Sequence, residues 1–453
     1  MTRPSSFFVT VLWLPSRWLL TAILLAAPTG YTTLLAQDEP RGALELASTS
    51  HAATLVEAIT LDRARFRLAD GTAIELPTRD IVGWGRLPPW PQGPMVLVAG
   101  GGVIAGRLER YDAEVAVVRS QAWGLIEIPA SCLVGFRASM AHGPVCDELL
   151  EQTSDAQKAP DGPQPERLFR LELKNGDRLL AKAIAIANQV LELNPGQSPP
   201  AATSIAGSDA MIFSDGERVG IPLERVQSID FLAAPRIIQQ RPLTLWMALA
   251  DGSRLNVQSI SSVGASDAAS VQAESVILVG EAFVTRLKAT GNRNQIVAIA
   301  VDGGCARWLS TLAPASFVQT PAIGSAWPLA VGCTLDRGWL VARGRTAFAG
   351  LGIHAPARLA YRLENPVDRF ESLVAIDDLA GQGGSVRVRV LAGRGGDPLR
   401  EVFVSGVIRG GEQPLALTIP LDQATALELL IETADGGEIL DRTLWLDPRL
   451  IGR

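Results

Sequence analysis

The chain has 453 residues, of which 47% are apolar, 6% aromatic and 19% charged, and this composition excludes disorder as its main state. The net charge is −6 and no basic run is present, so charge gives no reason to expect binding to nucleic acid or to an anionic membrane. Three histidines are too few for a His-rich metal site.

Residues 1–36 have the pattern of a secretory signal peptide. Arg3 and Arg17 supply positive charge ahead of or at the edge of an apolar run at 18–27, which is followed by Pro28 and small residues. This run is shorter than the roughly 20 residues that a membrane-spanning helix needs. We therefore predict a secreted or periplasmic protein. The alternative is an N-terminal segment that stays uncleaved and anchors the chain.

Export would place the four cysteines, Cys132, Cys146, Cys305 and Cys333, in a compartment that permits disulfides. Short loops close at the lowest entropic cost, so the expected pairs are 132–146 and 305–333. Buried free thiols are the alternative, because domains of this size do not need disulfides for stability.

The middle of the chain repeats a pattern in which apolar alternation leads into a glycine turn and out into another strand. The four instances are residues 66–74, 96–104, 171–179 and 247–255. Asp-Gly and Asn-Gly turns between alternating strands are typical of β-hairpins, so we interpret these turns as hairpin connections rather than ligand loops. We predict tandem small barrels of the Sm-like or SH3-like type.

Composition predicts where these modules begin and end. The expected order is one or more β modules at 43–140, a linker at 141–167, a second module at 168–234 and a third at 242–304. Residues 194–216 are rich in Pro and small residues, which favours a long surface loop inserted in the second module. Residues 88–91, Pro-Pro-Trp-Pro, mark a further break.

Residues 305–453 alternate apolar and polar side chains in several short runs. Leu359, Tyr361 and Leu363 alternate with arginines and an alanine, and similar runs lie at 386–390, 415–419 and 427–431. Each run is typical of a half-buried strand. Several such strands at short spacing predict a two-sheet β-sandwich, so the fold class expected for the whole chain is all-β.

A series of motifs in this region resembles the NPCBM family, also called NPCBM/NEW2, over about residues 305–450. The motifs are 350–359 (GLGIHAPARL), Arg369-Phe370, 374–378 (VAIDD), 384–386 (GSV) and 441–445 (DRTLW). The family comprises carbohydrate-binding modules associated with glycoside hydrolase family 98. The resemblance implies a jelly-roll-like β-sandwich that binds sugars, galactose-containing glycans among them, often with a structural calcium ion.

Six residues in this region are candidates for the site. His354 is expected to hydrogen-bond a sugar hydroxyl, or else to be buried and fix a loop through its ring nitrogens. Arg394 is expected to donate hydrogen bonds from its guanidinium group to sugar hydroxyls, or else to be solvated. Trp445 is expected to stack on a sugar, although a Trp in a final strand more often packs in the core, and Trp327 and Trp339 are similar cases.

The other three candidates are the acidic residues Asp377, Asp378 and Asp441. Their carboxylates are the hard oxygen ligands that Ca²⁺ prefers, so we list them as its candidate ligands. Asp377 and Asp378 have an alternative role in capping a turn.

The sequence has no Gly-x-Ser-x-Gly elbow and no His-Glu-x-x-His motif, so we predict that the chain is not an enzyme. The leading hypothesis is an exported, non-catalytic protein that binds a glycan or polysaccharide through its C-terminal sandwich. The first alternative is an envelope scaffold with protein partners, in which the sandwich no longer binds sugar. The weaker alternative is a cryptic glycoside hydrolase, which would need two carboxylates at a defined separation.

Overall fold

The chain is built from β-strands. Its structure, a computed structural model, describes residues 42–452 except for 113, 141–142, 144–167, 182, 188, 194–202, 205–209, 213–218, 233–242, 263–269, 280–282 and 323. In this part of the chain every regular element is a strand or a three-residue 3-10 helix, which confirms the all-β class. The same residues contain no helix long and apolar enough to cross a membrane. The predicted signal peptide lies outside the described residues.

The first module consists of five antiparallel strands, and its last strand pairs with its first. β1 pairs with β2 and also with β5, while β3 pairs with β2 and β4. A 3-10 turn at Thr78–Asp80 leads into the last strand. The strands are β1 (Gly42–Leu46), β2 (Ser50–Thr60), β3 (Arg63–Leu68), β4 (Ala73–Pro77) and β5 (Ile81–Gly85).

The second module repeats this order. Its last strand again pairs with its first, and a 3-10 turn at Ala130–Cys132 again precedes the last strand. The strands are β6 (Met95–Val98), β7 (Gly102–Tyr111), β8 (Val115–Ser120), β9 (Gly124–Pro129) and β10 (Leu133–Arg137).

The third module repeats this strand order, except that its second strand is broken in two and a pair of short strands is inserted. Its strands are β11 (Leu168–Leu173), β12 (Arg178–Ala181), β13 (Ile184–Ala187), β14 (Val190–Leu193), the inserted β15 (Thr203–Ser204) and β16 (Ala210–Ile212), then β17 (Val219–Pro222) and β18 (Val226–Leu232). The 3-10 turn at Leu223–Arg225 stands in the same place as before, and β18 pairs with β11.

The fourth module has the same connectivity. Its strands are β19 (Thr244–Leu249), β20 (Arg254–Val257), β21 (Ser259–Ser262), β22 (Ser270–Val279), β23 (Phe283–Asn292) and β24 (Ile296–Asp302). β24 pairs with β19 after a 3-10 turn at Arg293–Gln295. The repeat is therefore fourfold, and its assignment to Sm-like or SH3-like barrels stays a prediction.

The predicted glycine turns are hairpin connections, but they do not all occupy the same place in the module. In the second, third and fourth modules they join the first strand to the second. The Asp70-Gly71 turn instead joins the third strand to the fourth, with the Gly71 amide donating to the Leu68 carbonyl at 3.0 Å. The sequence pattern treats these hairpins as equivalent although they join different strands. The reason is that the same turn residues are favoured at any hairpin.

The modules pair with one another through equivalent strands. The first and fourth join through β5–β24 and β2–β21, and the second and third join through β10–β18 and β7–β13. Gly83 and Gly135 hold the same position in β5 and β10. A Cβ on Gly83 would lie 3.0 Å from the Ile299 carbonyl oxygen, and one on Gly135 would lie 2.8 Å from that of Ile229. One hydrophobic core runs through all four modules.

The C-terminal region is a two-layer β-sandwich. Its strands are β25 (Ala306–Trp308), β26 (Ser316–Gln319), β27 (Ala330–Val331), β28 (Val341–Ala342), β29 (Arg345–Thr346), β30 (Gly350–His354), β31 (Ala357–Ile376), β32 (Ser385–Gly393), β33 (Arg400–Val404), β34 (Ile408–Arg409), β35 (Leu415–Thr433) and β36 (Arg442–Ile451). The long strands β31 and β35 bend and contribute to both layers.

Each layer uses one half of each long strand. The first layer has the order β27, β30, β36, second half of β31, first half of β35. The second layer has the order β26, first half of β31, second half of β35, β32, β33. Phe370 and Trp445 of the first layer pack with Val388 and Leu429 of the second in one core.

The sandwich and the modules contact each other through two arginines, the buried Arg254 and the partly buried Arg449. Arg254 of the fourth module donates to the carbonyl of Ala347 and, at 3.1 Å, to that of Pro88. Arg449 of β36 pairs with Glu45 of the first module at 2.7 Å and with Glu371 at 2.8 Å. All of the described residues belong to one compact unit of the chain.

The expected disulfide between Cys305 and Cys333 is wrong, because both are free thiols. The main chain of Cys305 bonds to the Arg79 carbonyl and the Gly452 amide, whereas the Cys333 thiol lies 3.7 Å from the Val331 carbonyl oxygen. The two cysteines are thus held against different elements. Cys132 is buried in the module core, and its expected partner, Cys146, lies outside the described residues.

Candidate functional site

An aromatic pair lies at one end of the sandwich, where β30 ends. The ring of His354 is parallel to that of Trp327, with 5.5 Å between centroids and 4° between planes. His354 is only 7% exposed, and its Nδ1 lies 2.7 Å from the Ala355 carbonyl oxygen. A carbonyl oxygen only accepts, so Nδ1 carries a proton and donates it to Ala355.

Trp327 is half-buried and held from several sides. Its main-chain amide donates to Oε1 of the buried Gln319 at 3.0 Å. The guanidinium carbon of Arg442 lies over the indole, 5.4 Å from the ring centroid. Asp336 forms an ion pair with Arg442. The result is a surface position with an indole, a fixed guanidinium and a carboxylate side by side.

Asp441 lies beneath this end of the sandwich. It is fully buried, and its Oδ1 accepts from the Ser385 amide at 2.6 Å. Its Oδ2 is buried without a hydrogen-bond partner among the described residues. Burial raises the pKa of Asp441 to about 6, opposed by the Ser385 hydrogen bond and by the neighbouring His354.

The three candidate calcium ligands do not gather in one place. Asp377 Oδ1 accepts from the Leu379 amide at 3.0 Å and caps the 3-10 turn Asp378–Ala380. The Asp378 carboxylate accepts from the Arg343 amide, at 2.9 Å for its nearer oxygen. The charges that act on Asp377 belong to Asp336, Arg442 and Asp378, whereas those acting on Asp441 belong to His354 and Glu438.

In the described part of the chain, no three or more His, Cys, Asp or Glu side chains lie together as they would to hold a metal ion. Asp377, Asp378 and Asp441 thus do not form a three-carboxylate cluster, and calcium binding by Asp377 and Asp378 with backbone carbonyls stays a prediction. Two of these side chains cap turns or hold loops, the alternative role that the sequence allowed for Asp377 and Asp378.

Trp445 does not take part in the site. It is fully buried in the sandwich core, with its ring centroid 6.1 Å from that of Phe370. Because no face of the indole reaches solvent, the prediction that Trp445 stacks on a sugar is wrong. Trp339 is also a core residue, packed on Trp90 with 4.6 Å between ring centroids.

Arg394 lies at the opposite end of the sandwich. It follows the last residue of β32, whereas the first residue of that strand, Ser385, contacts Asp441. Nine strand residues separate these ends by roughly 30 Å. Arg394 is exposed, and its Nε donates to the Asp422 carbonyl at 2.7 Å. The structure thus separates Arg394 from His354.

The sequence did not single out Arg442, Asp336 or Gln319, and it grouped Trp327 with core residues. One signal was available, since Arg442 lies inside the 441–445 motif and directly follows Asp441. Trp327 lies in an irregular segment before β27, where no periodicity indicates which way a side chain faces.

Comparison with known families identifies the sandwich. Residues 306–451 match the NPCBM/NEW2 domain, which confirms the resemblance and its extent. The C-terminal sandwich is thus an NPCBM/NEW2 domain, and this family provides carbohydrate-binding modules. No curated protein matches the chain.

Several solved structures are similar to parts of the chain. A CBM51 module of Clostridium perfringens GH95, in complex with methyl-galactose, is 23% identical over 32% of this chain and 99% of that one, with a TM-score of 0.28. The CBM51-2 and INT domains of Clostridium perfringens ZmpB are 18% identical over 40% of this chain and 37% of that one, with a TM-score of 0.28. Tandem CBM51 modules of the Streptococcus pneumoniae family 98 glycoside hydrolase Sp3GH98 are 10% identical over 69% and 95%, with a TM-score of 0.28.

Proposed function

We propose that the chain is a non-catalytic carbohydrate-binding protein whose glycan lies against Trp327 at the end of the C-terminal sandwich. The observation that supports this most is the parallel stacking of a half-buried Trp327 on His354, in a domain of the NPCBM/NEW2 family. Sugar sites combine an aromatic surface for the C–H face of the ring with a few polar groups for its hydroxyls.

Each residue of the site has a distinct role in this proposal. Trp327 provides the stacking surface. Arg442, fixed by Asp336, donates hydrogen bonds to sugar hydroxyls. His354 is buried, so its role is to support the indole from below.

Binding should be measured with the full chain, because cutting it at residue 305 would expose Arg449 and the groups that Arg254 contacts. A glycan array would be followed by calorimetry with a galactose-containing oligosaccharide, the ligand class that the family resemblance implies. We expect Trp327→Ala to weaken binding more than tenfold, about 1.4 kcal/mol or more, because the stacking surface is lost.

Arg394→Gln is the matched control, since it changes an exposed residue at the far end of the sandwich and should leave affinity within twofold of wild type. Unchanged affinity in Trp327→Ala, with loss in Arg394→Gln, would place the glycan elsewhere. A folded chain that binds no glycan on the array would overturn the proposal and favour the envelope scaffold.

Calcium remains a proposal that this experiment also addresses. Asp441 lies apart from Asp377 and Asp378, so the candidate ligands are Asp377 and Asp378, with backbone carbonyls completing the shell. Repeating the calorimetry after chelation tests this, because loss of affinity that returns on adding calcium would indicate a bound ion.

The absence of catalysis and the export of the chain are also part of the proposal. We expect no release of reducing sugar from any glycan that binds. Turnover that is lost on replacing a single acidic residue would instead indicate a cryptic glycoside hydrolase. Export predicts that the protein appears in the periplasmic or culture fraction without residues 1–36, and a retained N-terminus in the membrane fraction would indicate an anchor.

A further inference from the structure

A cleft of about 440 Å³ lies where the sandwich meets the fourth module, and the proposed function does not use it. Its walls are the connection from β24 to β25, the turn after β25, the bend of β31 and the end of β36. Its volume is within the range of small-molecule sites. The bend begins at Arg362, five residues beyond Ala357 and roughly 17 Å along the strand from the His354 end.

Two arginines that line this cleft have no side-chain partner among the described residues. In the described part of the chain, Arg307 and Arg362 have neither a hydrogen bond nor an ion pair from their guanidinium groups, although both line the cleft. Several other arginines of the sandwich have an acidic partner: Arg358 with Glu428, Arg389 with Glu401 and Glu432, Arg409 with Asp435 and Arg442 with Asp336. What distinguishes Arg307 and Arg362 from unpaired exposed arginines such as Arg387 is that both line one cleft.

The acidic groups near the cleft do not neutralise these two arginines. Asp302 acts on Arg307 only at a distance, because its carboxylate is buried and its Oδ1 accepts from the Trp308 amide at 2.8 Å. Glu364 is the one acidic residue among those that line the cleft, so the lining has an excess of one positive charge.

The lining also offers polar groups suited to hydroxyls, among apolar residues that include Leu312, Leu363 and Leu450. Asn365 has both a donor and an acceptor to offer. The Thr311 side chain also lines the cleft, with its hydroxyl donating to the Trp308 carbonyl at 2.9 Å. Glycines 303 and 304 leave main chain accessible on one wall. A ligand that carries both an anionic group and several hydroxyls matches this lining.

We propose that this cleft is a second binding site, for an acidic saccharide whose carboxylate or sulfate pairs with Arg307 and Arg362. Guanidinium groups bind both anions through two parallel N–H bonds, and an arginine without an internal partner loses no ion pair when the ligand binds. The site is separate from Trp327, so it binds an acidic sugar whether or not the first site binds a neutral one.

The test uses the full chain and calorimetry with trigalacturonate, its neutral methyl ester, a sulfated galactose trisaccharide and inorganic sulfate. We expect at least one acidic trisaccharide to bind at least tenfold more tightly than the methyl ester, with affinity that falls as NaCl rises. Binding of trigalacturonate but not of the sulfated sugar, or the reverse, identifies which anion the cleft takes. Equal binding of acid and ester, or no binding of either acidic sugar, would overturn the proposal.

Variants locate the binding. The double variant Arg307→Gln, Arg362→Gln should weaken binding of the acidic sugar more than tenfold. If the double variant does not fold, Arg362→Gln alone repeats the test, because Arg362 is exposed. The matched control is Arg387→Gln with Arg394→Gln, which removes the same charge from exposed positions outside the cleft. Wild-type affinity in the cleft variants, or the same loss in the control, would contradict the assignment.

Two further readouts separate this site from the first. Trp327→Ala should leave binding of the acidic sugar unchanged, and its loss in that variant would place the sugar at the first site instead. Cys305 lines the cleft, so the bound sugar should slow its alkylation. Displacement of the trisaccharide by an equal concentration of inorganic sulfate would show that the anion alone binds and would overturn the saccharide class.

Discussion

The guanidinium carbon of Arg254 lies 3.4 Å from the centroid of the Trp90 ring. Arg254 comes from the fourth module and Trp90 from the connection between the first two, and the Trp90 indole donates to the Leu340 carbonyl of the sandwich at 3.2 Å. A cation–π contact and a hydrogen bond, both centred on Trp90, thus connect three parts of the chain that are far apart in sequence.

Replacing Arg254 should loosen this junction. Arg254→Ala leaves the buried Ala347 carbonyl without its arginine donor and removes one of the two donors to Pro88, whose carbonyl still accepts from the Thr346 hydroxyl at 2.9 Å. With the cation–π contact also lost, we expect a loss of about 3 kcal/mol in the free energy of unfolding. Arg254→Lys keeps the positive charge but lacks the planar guanidinium group, so its loss of stability should be smaller than that of Arg254→Ala. Urea unfolding measures the difference. The exposed Arg387→Ala should change stability by less than about 0.5 kcal/mol, and a similar loss in both alanine variants would contradict the role of Arg254.

Gly85 is predicted to tolerate no side chain. Its φ is +79°, and a Cβ there would lie 2.0 Å from the Val297 carbonyl oxygen in the fourth module. Gly85→Ala should therefore destabilise the protein by about 3 kcal/mol, from backbone strain and a main-chain clash together.

Gly71 provides the matched control for this prediction. Its φ is +84°, and no atom lies within 4 Å of the position that its Cβ would take. Gly71→Ala should cost only about 1 kcal/mol, the strain alone. Thermal unfolding of both variants gives the comparison, and equal melting temperatures would show that the two modules do not approach as closely as described.

The two tryptophans of the sandwich should behave in opposite ways. Trp445→Ala removes a fully buried indole and should cost about 4 kcal/mol of stability. Trp327 is half-buried at the surface, so Trp327→Ala should cost much less while it weakens glycan binding. Chemical unfolding alongside calorimetry measures both effects. A large stability loss in Trp327→Ala, with affinity retained by the remaining folded protein, would make Trp327 a structural residue.

Asp441 should make the protein more stable in mild acid. Its pKa of about 6 in the folded state exceeds the value of about 3.9 expected for the unfolded chain, so the folded state holds the proton more tightly. This contribution to stability is complete below about pH 4 and is lost as the pH rises through 6. Asp441→Asn keeps the acceptor for the Ser385 amide and cannot ionise.

We therefore expect the melting temperature of Asp441→Asn, relative to wild type, to rise between pH 4 and pH 7. A pH series of calorimetric melts tests this. Asp397→Asn, on an exposed loop, should follow the wild-type curve across the same range. A constant offset between Asp441→Asn and wild type would show that the Asp441 carboxyl does not titrate in this window.

The strands could be predicted from sequence because alternation marks a half-buried strand, as Arg65, Phe66 and Arg67 show in β3. The pairing between modules could not be predicted from sequence. Gly83 and Gly135 are needed because another main chain lies beside them, and the sequence does not show which strands lie side by side. The sandwich was identified from its motifs, and its match begins within one residue of the expected boundary.

The prediction for Trp445 failed for a physical reason. The first layer of the sandwich is covered on both faces, by the second layer on one side and by a smaller cluster that includes Leu340 and Leu446 on the other. β36 is consequently buried almost throughout, and motif position alone does not tell an outward residue from an inward one. The site residues that were missed, such as Trp327, come from an irregular segment without periodicity.

The sharing of β31 and β35 between the two layers has a consequence for how the sandwich comes apart. Neither layer can peel away from the other without breaking a continuous strand, since each long strand is hydrogen-bonded in both. Slow hydrogen exchange should therefore extend along both strands on either side of their bends. The two layers should then open together in one cooperative event, without a stage at which half of the sandwich remains.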